Sequence, residues 1–137
     1  MNRYLLDTNI LSELRKNTRA HPSVNHWFDN SNEETLLTSV LVFGEVRRGV
    51  ERLRKKDSRQ AEALEKWLES WKRFFGDRAL PVDQRVADCW GGLAIDQKLP
   101  EIDGLLAATA IVHDLTLVTR NTNDFARSGV KLLDPFQ

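Results

Sequence analysis

The chain has 137 residues, enough for one domain with a buried core and too few for two. Apolar residues make up 41% of it, which excludes long disorder and collagen-like or mucin-like character. Its 20 basic and 20 acidic residues cancel, so wrapping nucleic acid by bulk charge is disfavoured if those charges are evenly spread.

Arg3 to Leu6 is a short apolar-rich run ending at Asp7, and Thr8 to Arg15 follows with helical spacing at Ile10, Leu11 and Leu14. Pro22-Ser23 opens a second helix holding Val24, Trp27 and Phe28. Thr35 to Thr38 reads as a strand, and Val40 starts a long helix with Phe43, Val46, Val50 and Leu53 on one face. Asp57-Ser58 caps the next helix, whose apolar positions run from Ala61 through Leu64, Leu68 and Trp71 to Phe75 before Gly76 ends it. Ala79 to Val82 is a strand that Pro81 confines to an edge or cuts short. Asp83 caps a helix through Val86, Trp90, Leu93 and Ala94, where Gly91-Gly92 signals close packing or a bend. Beyond Pro100, Asp103 to Val112 is an apolar helix with almost no polar face, then Leu115 to Thr119 and Val130 to Leu133 are strands. Short strands alternating with amphipathic helices predict an α/β fold: one domain over residues 1–137, with a mostly parallel, short-stranded sheet flanked by helices.

Single features limit the setting. The longest apolar run, Leu105 to Val112, is too short for a membrane span. Asp7 and Glu13 stand where a secretory leader needs an unbroken apolar core. Cys89, the one cysteine, has no disulfide partner and reads as a buried thiol among Val86, Ala87 and Trp90. A cytoplasmic protein without a membrane partner is the expectation.

In open parallel sheets ligands bind beyond the carboxyl ends of the strands. Asp7 follows the first strand, Asp103 opens the buried helix, and Thr119-Arg120-Asn121 follows a later strand with Asp124 one turn on. Glu45 lies inside a helix, at the border of its apolar face. Each acid also has a structural reading. Asp7 and Asp103 suit helix caps, Glu45 suits a pair with Arg48 one turn later, and Asp124 suits the turn before Phe125. Taken together they suggest a carboxylate cluster. Like charges a few ångströms apart raise one another's pKa, and a hard divalent cation removes the repulsion. Mg²⁺ takes one or two carboxylates, keeps waters and leaves room for phosphate oxygens, a setting for in-line phosphodiester hydrolysis. Softer metals are not indicated, since His21, His26 and His113 lack ligand spacing and read as surface or cap residues. Asp7-Thr8-Asn9 lacks the second acid of a haloacid dehalogenase-type phosphatase, and neither a glycine-rich phosphate loop nor a serine nucleophile elbow is present.

Leu5-Leu6-Asp7-Thr8-Asn9-Ile10, Phe43-Gly44-Glu45-Val46, the run Asp103 to Ala110, and Leu117-Val118-Thr119-Arg120-Asn121 together resemble the PIN domain, specifically the VapC and FitB group of bacterial type II toxin–antitoxin systems. The resemblance spans essentially the whole chain. It implies a Mg²⁺- or Mn²⁺-dependent endoribonuclease, usually dimeric, held inactive by a small cognate antitoxin and reaching operator DNA only through it. Asp7, Glu45 and Asp103 match the family's acids, with Asp7 and Asp103 as metal ligands; Thr8 or Asn9, Ser39 and Thr119 match residues that orient them. Many relatives carry aspartate directly after the Thr-Arg pair, where this chain has the uncharged Asn121, and Asp124 is the candidate fourth carboxylate.

The charge is segregated. Residues 47–73 hold ten basic and five acidic groups, a net of +5, which leaves −5 on the rest. A basic arm beside an acidic cleft suits a nuclease, and Arg47, Arg48 and Arg120 are the candidates for RNA phosphates. The same arm also reads as the solvated face of two amphipathic helices. Trp67, Trp71, Phe74 and Phe75 form an aromatic stripe, either core or a surface for an antitoxin helix or a second copy. The sequence therefore predicts a toxin ribonuclease; its rival is a non-catalytic module of the same fold that binds a partner or nucleic acid through the 47–73 arm.

Overall fold

Five short strands, all parallel, organise the protein, seen in a computed structural model that describes residues 2–93 and 99–137. They are β1 (Tyr4–Leu6), β2 (Leu36–Ser39), β3 (Ala79–Leu80), β4 (Thr116–Val118) and β5 (Lys131–Leu133). The order across the sheet is β3-β2-β1-β4-β5. In register, Leu5 of β1 faces Leu37 on one side and Leu117 on the other. The chain builds outward from β1 in one direction, then returns to place β4 on its other flank. The β1–β4 seam is therefore the point where the strand order reverses, the place at which open parallel sheets receive ligands.

Helices connect the strands, and most of their beginnings are set by single side chains. Asp7 caps α1 (Thr8–Leu14), and His21 caps α2 (Pro22–Asp29), which has proline in its first turn. Ser39 caps α3 (Val40–Arg54), its Oγ accepting from Leu41 N at 3.0 Å. Asp57 and Asp83 cap α4 (Ser58–Phe75) and α5 (Gln84–Gly92) through the amides of Gln60 and Val86. At the end of α4, Gly76 takes φ 51°, a backbone region open to glycine at little cost. Helices α6 (Glu101–Val112) and the one-turn α7 (Thr122–Phe125) complete the set.

The observed elements match the sequence expectation closely and shift at their ends. β2 begins at Leu36 because Thr35 belongs to a short 3-10 turn, and β3 stops before Pro81. Asp103 is not a cap: Pro100 precedes α6, and Asp103 sits inside its first turn. Gly91 and Gly92 meet no described residue where a Cβ would project; α5 ends there, and Ala94 lies outside the described residues. Gly104 is the tight glycine, because a Cβ would come 3.0 Å from the Trp90 ring. Cys89 is half-buried, and Trp90 is 39% exposed. Helix α6 buries Leu106 to Ala110 as expected, yet Ile102 and Ile111 near its ends are exposed.

The core lies between the sheet and its helices, with Leu5, Leu6, Leu36, Leu117, Val118, Phe75 and Phe125 at or near zero exposure. The aromatic stripe of α4 joins it. Phe75 is fully buried, and Trp71 stacks on Phe75 at 5.6 Å while meeting Phe28 edge-on from α2. No helix among the described residues is long and apolar enough to cross a membrane. Since Phe75 is the hinge of this aromatic packing, Phe75→Ala should destabilise folding by about 3–5 kcal/mol. Urea unfolding followed by circular dichroism checks this, with the midpoint lowered and the slope unchanged.

Candidate active site

Asp7 sits one residue beyond β1, and its main chain still belongs to the sheet, because Asp7 N donates to Val118 O at 3.0 Å. That bond turns the side chain toward the β1–β4 seam, where it is only 5% exposed. Its Oδ1 accepts from Thr8 N at 2.7 Å as the cap of α1. Its Oδ2 accepts from Thr119 Oγ1 at 2.9 Å and from Asn9 Nδ2 at 3.4 Å. Thr119 follows β4 and is fully buried; its hydroxyl also accepts from Asn9 Nδ2 and from Asn121 N, both at 3.1 Å. Asn9 Oδ1 accepts from Arg120 N at 3.2 Å. Asp7, Asn9 and Thr119 thus form a closed network that ties the residues after β1 to those after β4.

The other acids reach the same place from separate segments. Glu45, on the exposed side of α3, accepts from Thr8 Oγ1 at 2.7 Å. Asp103 enters from the first turn of α6. Asp7, Glu45 and Asp103 line one cavity of about 410 Å³ together with Thr8, Asn9 and Asn121. Asp124, on α7, is absent from that lining, yet its charge acts on Asp103. Burial pushes the Asp103 carboxyl up to about 6, with the charges of Asp7, Glu45 and Asp124 adding to the effect. Burial also raises Asp7, against the opposing pull of its hydrogen bonds from Thr8 and Thr119, with the Glu45 charge raising it further.

Among the described residues no three His, Cys, Asp or Glu side chains converge tightly enough to cage an ion unaided. The donors that face the cavity are oxygens, and none of the three histidines lines it. An all-oxygen site with few protein ligands and mutual carboxylate repulsion fits a hard cation that keeps much of its own water, such as Mg²⁺ or Mn²⁺. Softer ions prefer imidazole or thiolate, which the site does not offer.

The remaining candidates divide. Glu45 makes no ion pair with Arg48 among the described residues; its partner is Thr8. Ser39 is buried and bonds Leu41 N, so it touches no carboxylate and acts on the site only by starting the helix that carries Glu45. Arg47 lies between α3 and α4, paired with Glu65, with Glu51 at 3.3 Å and with Glu69 at 3.6 Å. Arg54 joins the same network through Glu51 and Glu65. Arg48 is exposed and lines a second groove, next to Glu45, with Val40, Leu41, Gly44, Arg52 and Ile102. The Arg120 guanidinium lies over the Phe136 ring, 4.4 Å from its centre.

Three residues of the cavity were missed by the sequence reading: Ser12, Glu13 and Lys16. The signal was present, since Asn9, Ser12 and Glu13 fall on one face of α1, opposite Ile10, Leu11 and Leu14, with Lys16 three residues beyond Glu13.

The PIN domain model matches residues 4–131. The chain belongs to the PIN-domain family. It is 33% identical to the toxin FitB of Neisseria gonorrhoeae over 96% of this chain and 97% of that protein. It is 30% identical to the VapC ribonuclease Y4jK of Sinorhizobium fredii, over 97% of each chain. The crystal structure of FitAcB from Neisseria gonorrhoeae superposes with a TM-score of 0.87 at 31% identity, covering 98% of this chain and 99% of that one. The α/β fold read from the sequence, a parallel sheet flanked by helices, is thus the PIN fold.

The Asp103 shift gives a stability prediction. In the metal-free protein its carboxyl binds protons more tightly folded than at its ordinary value of 3.8. The stability this contributes is complete below pH 3.8 and is lost as pH rises through about 6. Asp103→Asn, which carries no such charge, should therefore melt higher than the wild-type protein in EDTA at pH 7.5, the advantage vanishing near pH 4. Allowing for solvent screening of a half-exposed group, the gain is about 1 kcal/mol, or roughly 3 °C by calorimetry.

Proposed function

We propose that this PIN-domain protein is a metal-dependent endoribonuclease and the toxin of a type II toxin–antitoxin pair. The observation that carries the reading is the meeting of Asp7, Glu45, Asp103 and the charge of Asp124, from four separate segments, at the carboxyl edge of β1 and β4. The similarity to a VapC ribonuclease and to the FitB toxin over nearly the full chain supports both the chemistry and the biological role. A non-catalytic module would leave these mutually repelling acids without a purpose, and their repulsion has a cost in stability that a working site justifies.

Asp7 and Asp103 would hold the cation, Mg²⁺ or Mn²⁺. When bound, the ion supplies charge stabilisation at the phosphate and a lower pKa for the attacking water. The chain's own residues do the rest. Thr119, Asn9 and Thr8 N bond the Asp7 carboxylate and fix its orientation. Thr8 Oγ1 holds Glu45 toward the cavity, where its carboxylate is the proton acceptor for the attacking water. Asn121 lines the cavity as a neutral amide; it can bond a water or a ribose hydroxyl, but it lowers the charge available to a second ion. Asp124 supplies negative charge from the rim.

The inhibitory partner is a small antitoxin, through which operator DNA is reached, and the toxin acts as a homodimer. RNA approaches along the exposed cations of the 47–73 arm, among them Arg48 and Arg52, which are not engaged in the Arg47–Glu65 network.

Asp7→Asn tests the reading. Asparagine keeps the cap on Thr8 N but cannot also accept from Thr119 and Asn9, so the mutant should fold by circular dichroism with a lowered melting temperature. Cleavage of RNA in Mg²⁺ should fall at least about a hundredfold, and Mn²⁺ binding by calorimetry should weaken in parallel. A mutant that cuts RNA at the wild-type rate overturns the role of Asp7, and a wild-type chain that binds no Mn²⁺ at pH 7 overturns the enzyme.

A further inference from the structure

The acid cavity poses a difficulty for its own substrate. Asp7, Glu45 and Asp103 line it and Asp124 adds to their field, so even with one divalent ion bound the site repels a polyanion. Among the described residues one basic side chain lines that cavity, Lys16, in the turn that follows α1. It does not hang free. Lys16 Nζ contacts Glu13 Oε1 at 3.0 Å, and Glu13 is nearly buried, its side chain 10% exposed against 55% for Lys16. The second oxygen, Glu13 Oε2, accepts from His21 N at 2.8 Å, the residue that caps α2. Both Glu13 oxygens are therefore engaged, one by the lysine at the cavity wall and one by the main chain at His21. The bonds from Lys16 and the His21 amide hold this carboxyl below the usual range, with the Arg120 charge contributing. Glu13 thus fixes an ammonium at the cavity wall.

An ion pair made only for stability would be a weak one here, since a pair between a solvent-exposed lysine and a near neighbour in sequence adds little to folding. That does not explain why a buried carboxylate is anchored by a backbone amide from another helix in order to hold it. A lysine stem of four carbons pivoting on a fixed carboxylate leaves two of its three N–H donors for an incoming anion. Arg120 stands close enough to Glu13 for its charge to be felt, and its guanidinium is steadied on Phe136, so a second cation borders the same anchor.

We propose that Lys16, positioned by Glu13, binds an RNA phosphate adjacent to the one cleaved, and sets the register of the strand over the acids. The inference rests on the ribonuclease reading and adds a substrate-binding residue and its positioning residue to it.

The test measures binding of a fluorescent 12-nucleotide oligouridylate to the full-length chain by anisotropy, in Ca²⁺ and over a series of KCl concentrations. Each phosphate contact to single-stranded nucleic acid contributes about −0.7 to the slope of log K against log salt. Lys16→Ala should weaken binding about tenfold at low salt and flatten the slope by about 0.7, whereas Lys16→Arg keeps both. Glu13→Gln should keep the slope and weaken binding less, with RNA cleavage showing a raised KM at little cost in kcat. A Lys16→Ala protein with the wild-type affinity and slope overturns the inference alone, even if its melting temperature falls. Absence of RNA binding by the wild-type chain overturns the nuclease reading and this inference together.

Discussion

The Asp7 carboxylate is the point on which both fold and site depend. One oxygen closes the start of α1 through Thr8 N, and the other receives the Thr119 hydroxyl from the far side of the β1–β4 seam. Neither bond is a decoration on a finished scaffold. The strands are two to four residues long, so the sheet has few ladder bonds with which to hold its own order. A buried charge that is satisfied only when β1, α1 and the β4 end are all in place ties three distant pieces of chain into one arrangement. Burial leaves the same group with a raised pKa, so the residue that organises the fold is also one of the acids gathered at the cavity.

Much of this could be read from the residues. Acids just past apolar strands, and Gly76 after an amphipathic run, carry local signals that survive folding. Asp57 and Asp83 were recognisable as caps because a cap acts within one turn of itself. What escaped was long-range. Arg47 looks like a free cation until α4 is laid beside α3, and only then do Glu65 and Glu69 appear as its partners. Asp103 looked like a cap because aspartate so often is one, whereas Pro100 had already set the helix start, three residues earlier. Gly91-Gly92 suggested crowding, yet among the described residues the crowded glycine is Gly104, whose neighbour Trp90 is fourteen positions away in sequence.

Glu13 shows the limit from the other side. Its place on α1 was visible, but its meaning required knowing that the His21 amide lies beneath it. A sequence reports that an acid is present; only the fold says which way its lone pairs face. Of the acids that line the cavity, Asp7, Glu45 and Asp103 have no cationic partner among the described residues, whereas Glu13 is paired with Lys16.

Seven residues is a short helix, and in α1 that brevity is a constraint on sequence as well as on shape. Each residue advances a helix by about 100°. A one-residue insertion or deletion between Asn9 and Lys16 would leave the apolar contacts of Leu11 and Leu14 to find new partners, and would swing the lysine a quarter-turn or more off the cavity wall. Loops elsewhere on the surface tolerate changes in length; in α1 a change of one residue alters which side chains face the cavity. The spacing of Asn9, Ser12 and Glu13 is therefore set by the cavity they line together.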